Sequence, residues 1–137
     1  MVYRFEIPGS AVAQARPGSA RGGWRYDPPR CRQYKEKVRD CAAPVQPAKP
    51  FEGALTIKVT EYRAIPKSWS KQKQEAARNG RIDPITKPDT DNVLKGIKDA
   101  LKGIFWKDDA QVIHDDISKT YSDTPRVEVE VGEVIRE

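Results

Sequence analysis

Two short runs of this chain alternate with a period of two. Leu55, Ile57 and Val59 are separated by Thr56, Lys58 and Thr60, and Val127, Val129 and Val131 by Glu128 and Glu130. That period belongs to strands with one apolar and one wetted face. A half-apolar sheet needs a covering layer, and the stripe Val93, Leu94, Ile97, Ala100, Leu101 and Ile104 supplies one as a helix from Asn92 to about Gly103.

The remaining elements follow from local signals. Val2 to Ile7 forms a short first strand that ends at Pro8-Gly9. Residues 10–25 carry Gln14, Arg16, Pro17, Arg21 and Arg25 with little apolar periodicity and form a basic loop. Asp27-Pro28-Pro29 has the form of an N-cap followed by prolines in the first helical turn, where a missing N–H costs nothing. Cys31, Tyr34, Val38, Cys41 and Ala42 then recur at helical spacing, and Pro44, Pro47 and Pro50 end that helix. Ser68 or Ser70 caps a short helix through Ala76-Ala77-Arg78, with Asn79-Gly80 as its stop and Lys71, Lys73 and Arg78 on a solvated face. Val112 to Tyr121 and Arg126 to Val134 read as two more strands, joined by Ser122-Asp123-Thr124-Pro125 into an antiparallel hairpin. The expected fold is α+β: a small mixed sheet of about four strands with helices on one face.

At 137 residues, 37% hydrophobic and 33% charged, the chain fits one compact domain, 1–137. Its 25 Lys and Arg against 20 Asp and Glu give +5, which favours a polyanion or an anionic surface as partner. No run of about 18 apolar residues is present, and Met1 to Pro8 lacks the basic-then-apolar order of a signal peptide, so a soluble, cytoplasmic protein is expected. Cys31 and Cys41 share one helix about 15 Å apart, too far for a disulfide, and no histidine near them suits a zinc site.

Chemistry concentrates in Lys87-Pro88-Asp89-Thr90-Asp91-Asn92-Val93-Leu94-Lys95, with Asp109 fourteen residues after Lys95. Pro88 biases the residue before it away from helix. If Asp89-Thr90-Asp91 continues extended until the helix begins near Asn92, Asp89 and Asp91 point to the same side and converge on one cation. Mg2+ is held by one or two carboxylates plus waters and phosphate oxygens, so no protein cage is required. Lys95, one turn into the helix, can swing back to stabilise a developing negative charge, and the exposed N–H groups of the helix start favour an anion. Asp109 can complete the metal shell. The plainer alternative is a helix cap with an Asp91/Lys95 ion pair at i, i+4. Likewise Asp108-Asp109 can be a turn, His114-Asp115-Asp116 a strand's polar face, and His114, the single histidine, a surface residue. An EF-hand is excluded, because the sixth and twelfth positions from Asp89 are Leu94 and Ala100.

The ordered set Lys87 to Lys95 followed by Gly103-Ile104-Phe105-Trp106-Lys107-Asp108-Asp109-Ala110-Gln111-Val112 resembles the RusA family of Holliday junction resolvases. The similarity covers Lys87 to Tyr121, with a looser likeness in Ile7-Pro8-Gly9, Gln14-Ala15-Arg16-Pro17 and Tyr26-Asp27-Pro28. The resemblance implies a homodimeric, Mg2+-dependent endonuclease that nicks four-way DNA junctions symmetrically in recombination or repair. It also implies metal binding by Asp89, Asp91 and Asp109, with Lys95 as the family's lysine, and products with 5′-phosphate and 3′-hydroxyl ends. Arg16, Arg21, Arg25 and Arg30, with Lys87 and Lys119, are the expected phosphate contacts. Two rivals stand beside this reading: a non-catalytic DNA-binding module, which leaves the aspartates unexplained, and a nuclease of the same fold preferring flaps or plain duplex.

Overall fold

The computed structural model describes residues 1–15 and 27–136. Their elements run β1 (Val2–Pro8), α1 (Pro29–Ala42), β2 (Leu55–Ala64), α2 (Lys71–Arg78), α3 (Thr90–Leu101), a 3₁₀ turn (Asp109–Gln111), β3 (Val112–Ser122) and β4 (Arg126–Glu133). The strands form one mixed sheet in the order β1-β4-β2-β3. It is the α+β architecture that the two alternating runs and the α3 stripe require.

Alternation decides the inner face. Ile7, Leu55, Ile57, Val59, Val127, Val129 and Val131 are all buried in one cluster with Tyr34, Val38 and Ala42 of α1 and Leu94, Ile97, Ala100 and Leu101 of α3. Tyr3 and Phe5 pack on Phe105 at ring-centroid distances of 5.8 and 6.4 Å and close one end of the core. Gly103, at φ +89, takes the left-handed conformation that turns the chain after α3 and sends Phe105 and Trp106 back inward. Segment 12–14 crosses α3 at Gly96, where an added Cβ would touch Gln14 and the Val12 carbonyl, and Gln14 N–H donates to Asn92 O at 3.0 Å. Cys31 and Cys41 are free thiols. No helix among the described residues is long and apolar enough to cross a membrane.

Three local expectations change. The hairpin does not form: β3 pairs parallel with β2, β4 pairs antiparallel with both β2 and β1, and the turn at residues 123–125 steps across β2. A short turn linking two strands suggests adjacency, but β2, apolar at alternate positions, takes the place between them. Pro28, not Asp27, occupies the N-cap position of α1. Asp27 instead accepts from Gln14 Nε2 at 2.9 Å and pairs with Lys35 at 3.2 Å, which ties segment 11–15 to the start of α1. The Gln14 bond first, and Lys35 with it, hold the Asp27 carboxyl below its ordinary value. That contribution to stability is present above the carboxyl's unfolded pKa and is lost as pH falls through the lowered one. Finally, α3 begins two residues earlier than expected, at Thr90, with Asp89 at its N-cap.

The strand order is testable by cross-linking in a chain whose two native cysteines are replaced by serine. Thr60→Cys with Glu128→Cys, opposite one another on β2 and β4, will oxidise to a disulfide, seen as a mass loss of about 2 Da. Ser118→Cys with Glu128→Cys flank Thr60 from either side, about 10 Å apart, and will remain reduced; failure of the first pair to oxidise, or oxidation of the second, would contradict this strand order.

Candidate metal and nucleic-acid site

The early start of α3 rearranges the acidic cluster. Residues i and i+2 of a helix do not share a side, whereas i, i+3, i+4 and i+7 do. Asp91 therefore shares its side with Leu94, Lys95, Lys98 and Asp99, and these line one open recess together with Asp109 and Asp115. Asp89 faces the neighbouring recess with Asn92, Lys87, Pro88, Arg30, Ala11 and Ala13. The expected convergence of Asp89 and Asp91 along an extended chain is thus corrected: the helix start stands between two hollows, with Asp91 lining one and Asp89 the other. Asp89 holds the N-cap position, yet its side chain accepts no capping hydrogen bond. The plain capping role is not the one it plays, and its carboxylate stays exposed.

The second motif explains itself residue by residue. Trp106 is fully buried, and its indole Nε1–H donates to Asp109 Oδ1 at 2.8 Å. A buried ring thereby aims an acidic side chain at the surface. Asp108 serves the backbone instead, capping the 3₁₀ turn by accepting from Ala110 N at 2.9 Å. Gln111 uses its whole amide. Its Oε1 accepts from Lys107 N (2.9 Å) and Asp108 N (3.0 Å), and its Nε2 donates to Phe51 O (2.8 Å) and Gly53 O (3.0 Å). The turn is locked on both sides, and of its two aspartates only Asp109 is turned into the recess.

Cations are distributed between the hollows. Lys95 is half exposed, with Nζ 4.0 Å from Asp99 Oδ2. Lys98 pairs with Asp115 at 3.2 Å. Arg30 and Lys87 are exposed beside Asp89. Lys119 lies elsewhere: its ammonium donates to Thr86 O at 2.9 Å and Pro88 O at 3.3 Å, so it holds the chain rather than standing open to a phosphate. Arg16, Arg21 and Arg25 lie outside the described residues.

Sequence reasoning passed over Asp115, which shares the inner side of edge strand β3 with Ile117 and Lys119 and meets Lys98 of α3. It also passed over Glu61 and Arg63. The signal for that pair was present: the inward row Leu55, Ile57, Val59 of β2 continues at the same period into Glu61 and Arg63, and Glu61 is buried. A core row that turns charged demands partners.

Mg2+ takes oxygen ligands and keeps several waters, so one or two carboxylates suffice. Asp91 and Asp109 meet that minimum from two rigid elements of one recess. Among the described residues no three His, Cys, Asp or Glu side chains come together as a ready-made cage. The donor set fits a hydrated ion that shares its shell with a phosphate, and does not fit a closed structural site.

The family model for endodeoxyribonuclease RusA matches residues 8–132. A protein of Bacillus subtilis (strain 168), named "Uncharacterized protein YqaN", is 43% identical over 136 residues, covering 96% of either chain.

The division of labour between the neighbouring aspartates is measurable by urea denaturation. Asp108→Ala and Gln111→Ala will each lower stability by about 1 kcal/mol, through loss of a cap and of the side-chain hydrogen bonds that close the turn. Asp109→Asn, which keeps an acceptor for the Trp106 indole, will stay within about 0.5 kcal/mol of the parent.

Proposed function

The chain belongs to the RusA endodeoxyribonuclease family, and from that premise we propose that it is a Mg2+-dependent endonuclease resolving four-way (Holliday) junctions by paired symmetric nicks in DNA recombination and repair. The observation that carries this reading is the recess in which Asp91 and Lys95 of α3 meet Asp109, the side chain aimed by Trp106. Carboxylates repel a phosphodiester unless a cation intervenes, so a recess that gathers them inside a chain of net charge +5 is unsuited to a passive DNA-binding module.

Asp91 and Asp109, with Asp89 from the neighbouring hollow at the start of the same helix, are the proposed metal ligands. Bound there, Mg2+ supplies Lewis-acid polarisation of the scissile phosphate and a water acidic enough to act as nucleophile near neutral pH. The protein's own groups do the rest. Lys95, one turn into α3, faces the charge that grows on the phosphate oxygens in the transition state. The N-terminal end of the α3 dipole adds a fixed positive pole beside the same place. Arg30 and Lys87 flank the second hollow and suit a neighbouring phosphate of the same strand. Arg16, Arg21 and Arg25, which lie outside the described residues, are proposed as further phosphate contacts on their charge alone. Cleavage leaving 5′-phosphate and 3′-hydroxyl ends gives nicks that a ligase can seal.

Two matched nicks in opposed strands call for two identical sites, so a two-fold homodimer is the proposed working form. A nuclease of this kind works where the DNA is, hence a cytoplasmic location.

The test is a labelled synthetic four-way junction incubated with Mg2+ or with chelator, beside a Y-structure and a linear duplex. Paired nicks in the junction, abolished by chelator and much weaker on the other substrates, are expected; equal cutting of all three would assign a flap or duplex nuclease. Asp91→Asn will abolish cleavage and leave junction binding in Ca2+ within about twofold, whereas cutting at the parent rate would remove Asp91 from the metal shell. Lys95→Ala will lower the single-turnover rate by on the order of 10²-fold with a much smaller loss of binding. Equal losses in both would make Lys95 a simple DNA contact.

A further inference from the structure

Asp89 stands at the end of a segment held by a side-chain clamp. Arg63 of β2 spreads its guanidinium over three consecutive carbonyls: Nη1 donates to Thr86 O at 2.8 Å and Lys87 O at 3.2 Å, and Nη2 to Pro88 O at 3.2 Å. Lys119 of β3 donates to two of the same oxygens from the other side, Thr86 O and Pro88 O. The guanidinium is itself fixed from below. Glu61, only 3% exposed, accepts from Arg63 Nε at 3.0 Å and Nη2 at 3.1 Å, a bidentate pair. Glu61, Arg63 and Lys119 all stand on the inner side of their strands, and Glu61 and Lys119 are register partners.

A buried carboxylate costs several kcal/mol unless paired, so Glu61 has no reason to sit there except to serve Arg63. Arg63 likewise has five donors where a packing residue needs none, and it spends them on Glu61 and on backbone that is otherwise exposed. Geometry carries the effect onward. The Pro88–Asp89 peptide is trans, and in a planar trans peptide the carbonyl and the following N–H point oppositely. Holding Pro88 O therefore fixes the plane from which Asp89 departs. On its other side Asp89 O accepts the first helical bond of α3, from Val93 N at 3.2 Å. Asp89 is thus gripped on both sides although its carboxylate makes no capping bond.

We propose that Arg63, braced by Glu61 and assisted by Lys119, is a positioning residue that presents the Asp89 carboxylate to the divalent cation. This rests on the metal-dependent reading of the site and adds to it residues outside the acidic motifs. Supporting groups of this kind, which orient a ligand without touching the ion, typically change metal affinity or activity by about 10- to 100-fold when removed.

Arg63→Ala alone leaves Glu61 buried and unpaired and is expected to unfold part of the chain. The informative variant is therefore Glu61→Met with Arg63→Met, which removes both charges and keeps apolar volume; Arg63→Lys accompanies it as the conservative change. Three quantities are read on the full chain: amide hydrogen exchange in the peptide covering residues 84–92, calorimetric Mn2+ affinity of the DNA-free protein, and the Mg2+ dependence of junction cleavage. The double variant will exchange faster in 84–92 but not in the β4 peptide. It will bind Mn2+ about tenfold more weakly and need correspondingly more Mg2+, with junction binding in Ca2+ within about twofold of the parent. Arg63→Lys will fall between. Unchanged exchange in 84–92, or faster exchange with unchanged Mn2+ affinity, overturns the proposal. If the parent protein neither binds Mn2+ nor cuts, the metal-dependent reading itself fails, a result distinct from either of these because the exchange comparison still reports on the clamp.

Discussion

The packing of one helix governs the site. Val93, Leu94, Ile97, Ala100 and Leu101 bury the inner side of α3, and all but Val93 join the same cluster as the apolar rows of β2 and β4. Full burial of a large apolar side chain contributes about 1.5–3 kcal/mol, so the rotation of α3 about its axis is set by its core side, not by its acidic start. Once that rotation is fixed, helical geometry dictates that Asp91, Lys95 and Lys98 emerge on one flank and Asp89 and Asn92 on another. The charged side chains of the candidate site are placed by the apolar side of the helix that carries them.

The return from α3 works by the same logic. Gly103 turns the chain, Phe105 and Trp106 re-enter the core, and the chain emerges again at Asp109. Trp106 belongs to both worlds. Its ring fills volume beside the sheet, and its one polar atom reaches the Asp109 carboxylate. Gln111 then closes the turn against backbone at residues 51 and 53, so that a short exposed segment acquires the fixity of a core element. Rigid supports on both sides are what a loosely ligated, water-rich cation requires, because the ion contributes little organisation of its own.

Legibility in the sequence followed the range of the forces involved. The periods of two and 3.6 identified β2, β4, α1 and α3, and cap and turn residues marked the others, since each signal is set by neighbours a few residues away. Ser70, read as one of two caps, does accept from Lys73 N at 3.2 Å. Strand order was not legible: a short link between β3 and β4 suits a hairpin locally, and only competition for the apolar β2 decides against it. The acidic cluster was legible as a group but not in its geometry, because a shift of two residues in the start of α3 moves Asp91 from an extended segment into a helical turn. Lys119, Glu61 and Arg63 were the least legible. Their contacts join residues 61–63, 86–88 and 119, separations at which spacing carries no information.

Paramagnetic broadening of backbone amide signals by substoichiometric Mn2+ in the DNA-free protein locates the cation without relying on cleavage. If the cation sits between α3 and the 109–111 turn, the amides of Asp91, Asn92, Asp109 and Ala110 will broaden first, followed by Asp89 and Asp115, while those of β1 and β4 remain sharp. Broadening centred on another acidic patch, such as Glu128 and Glu130 on the opposite side of the sheet, or no selective broadening at all, would contradict a metal-dependent nuclease built around α3.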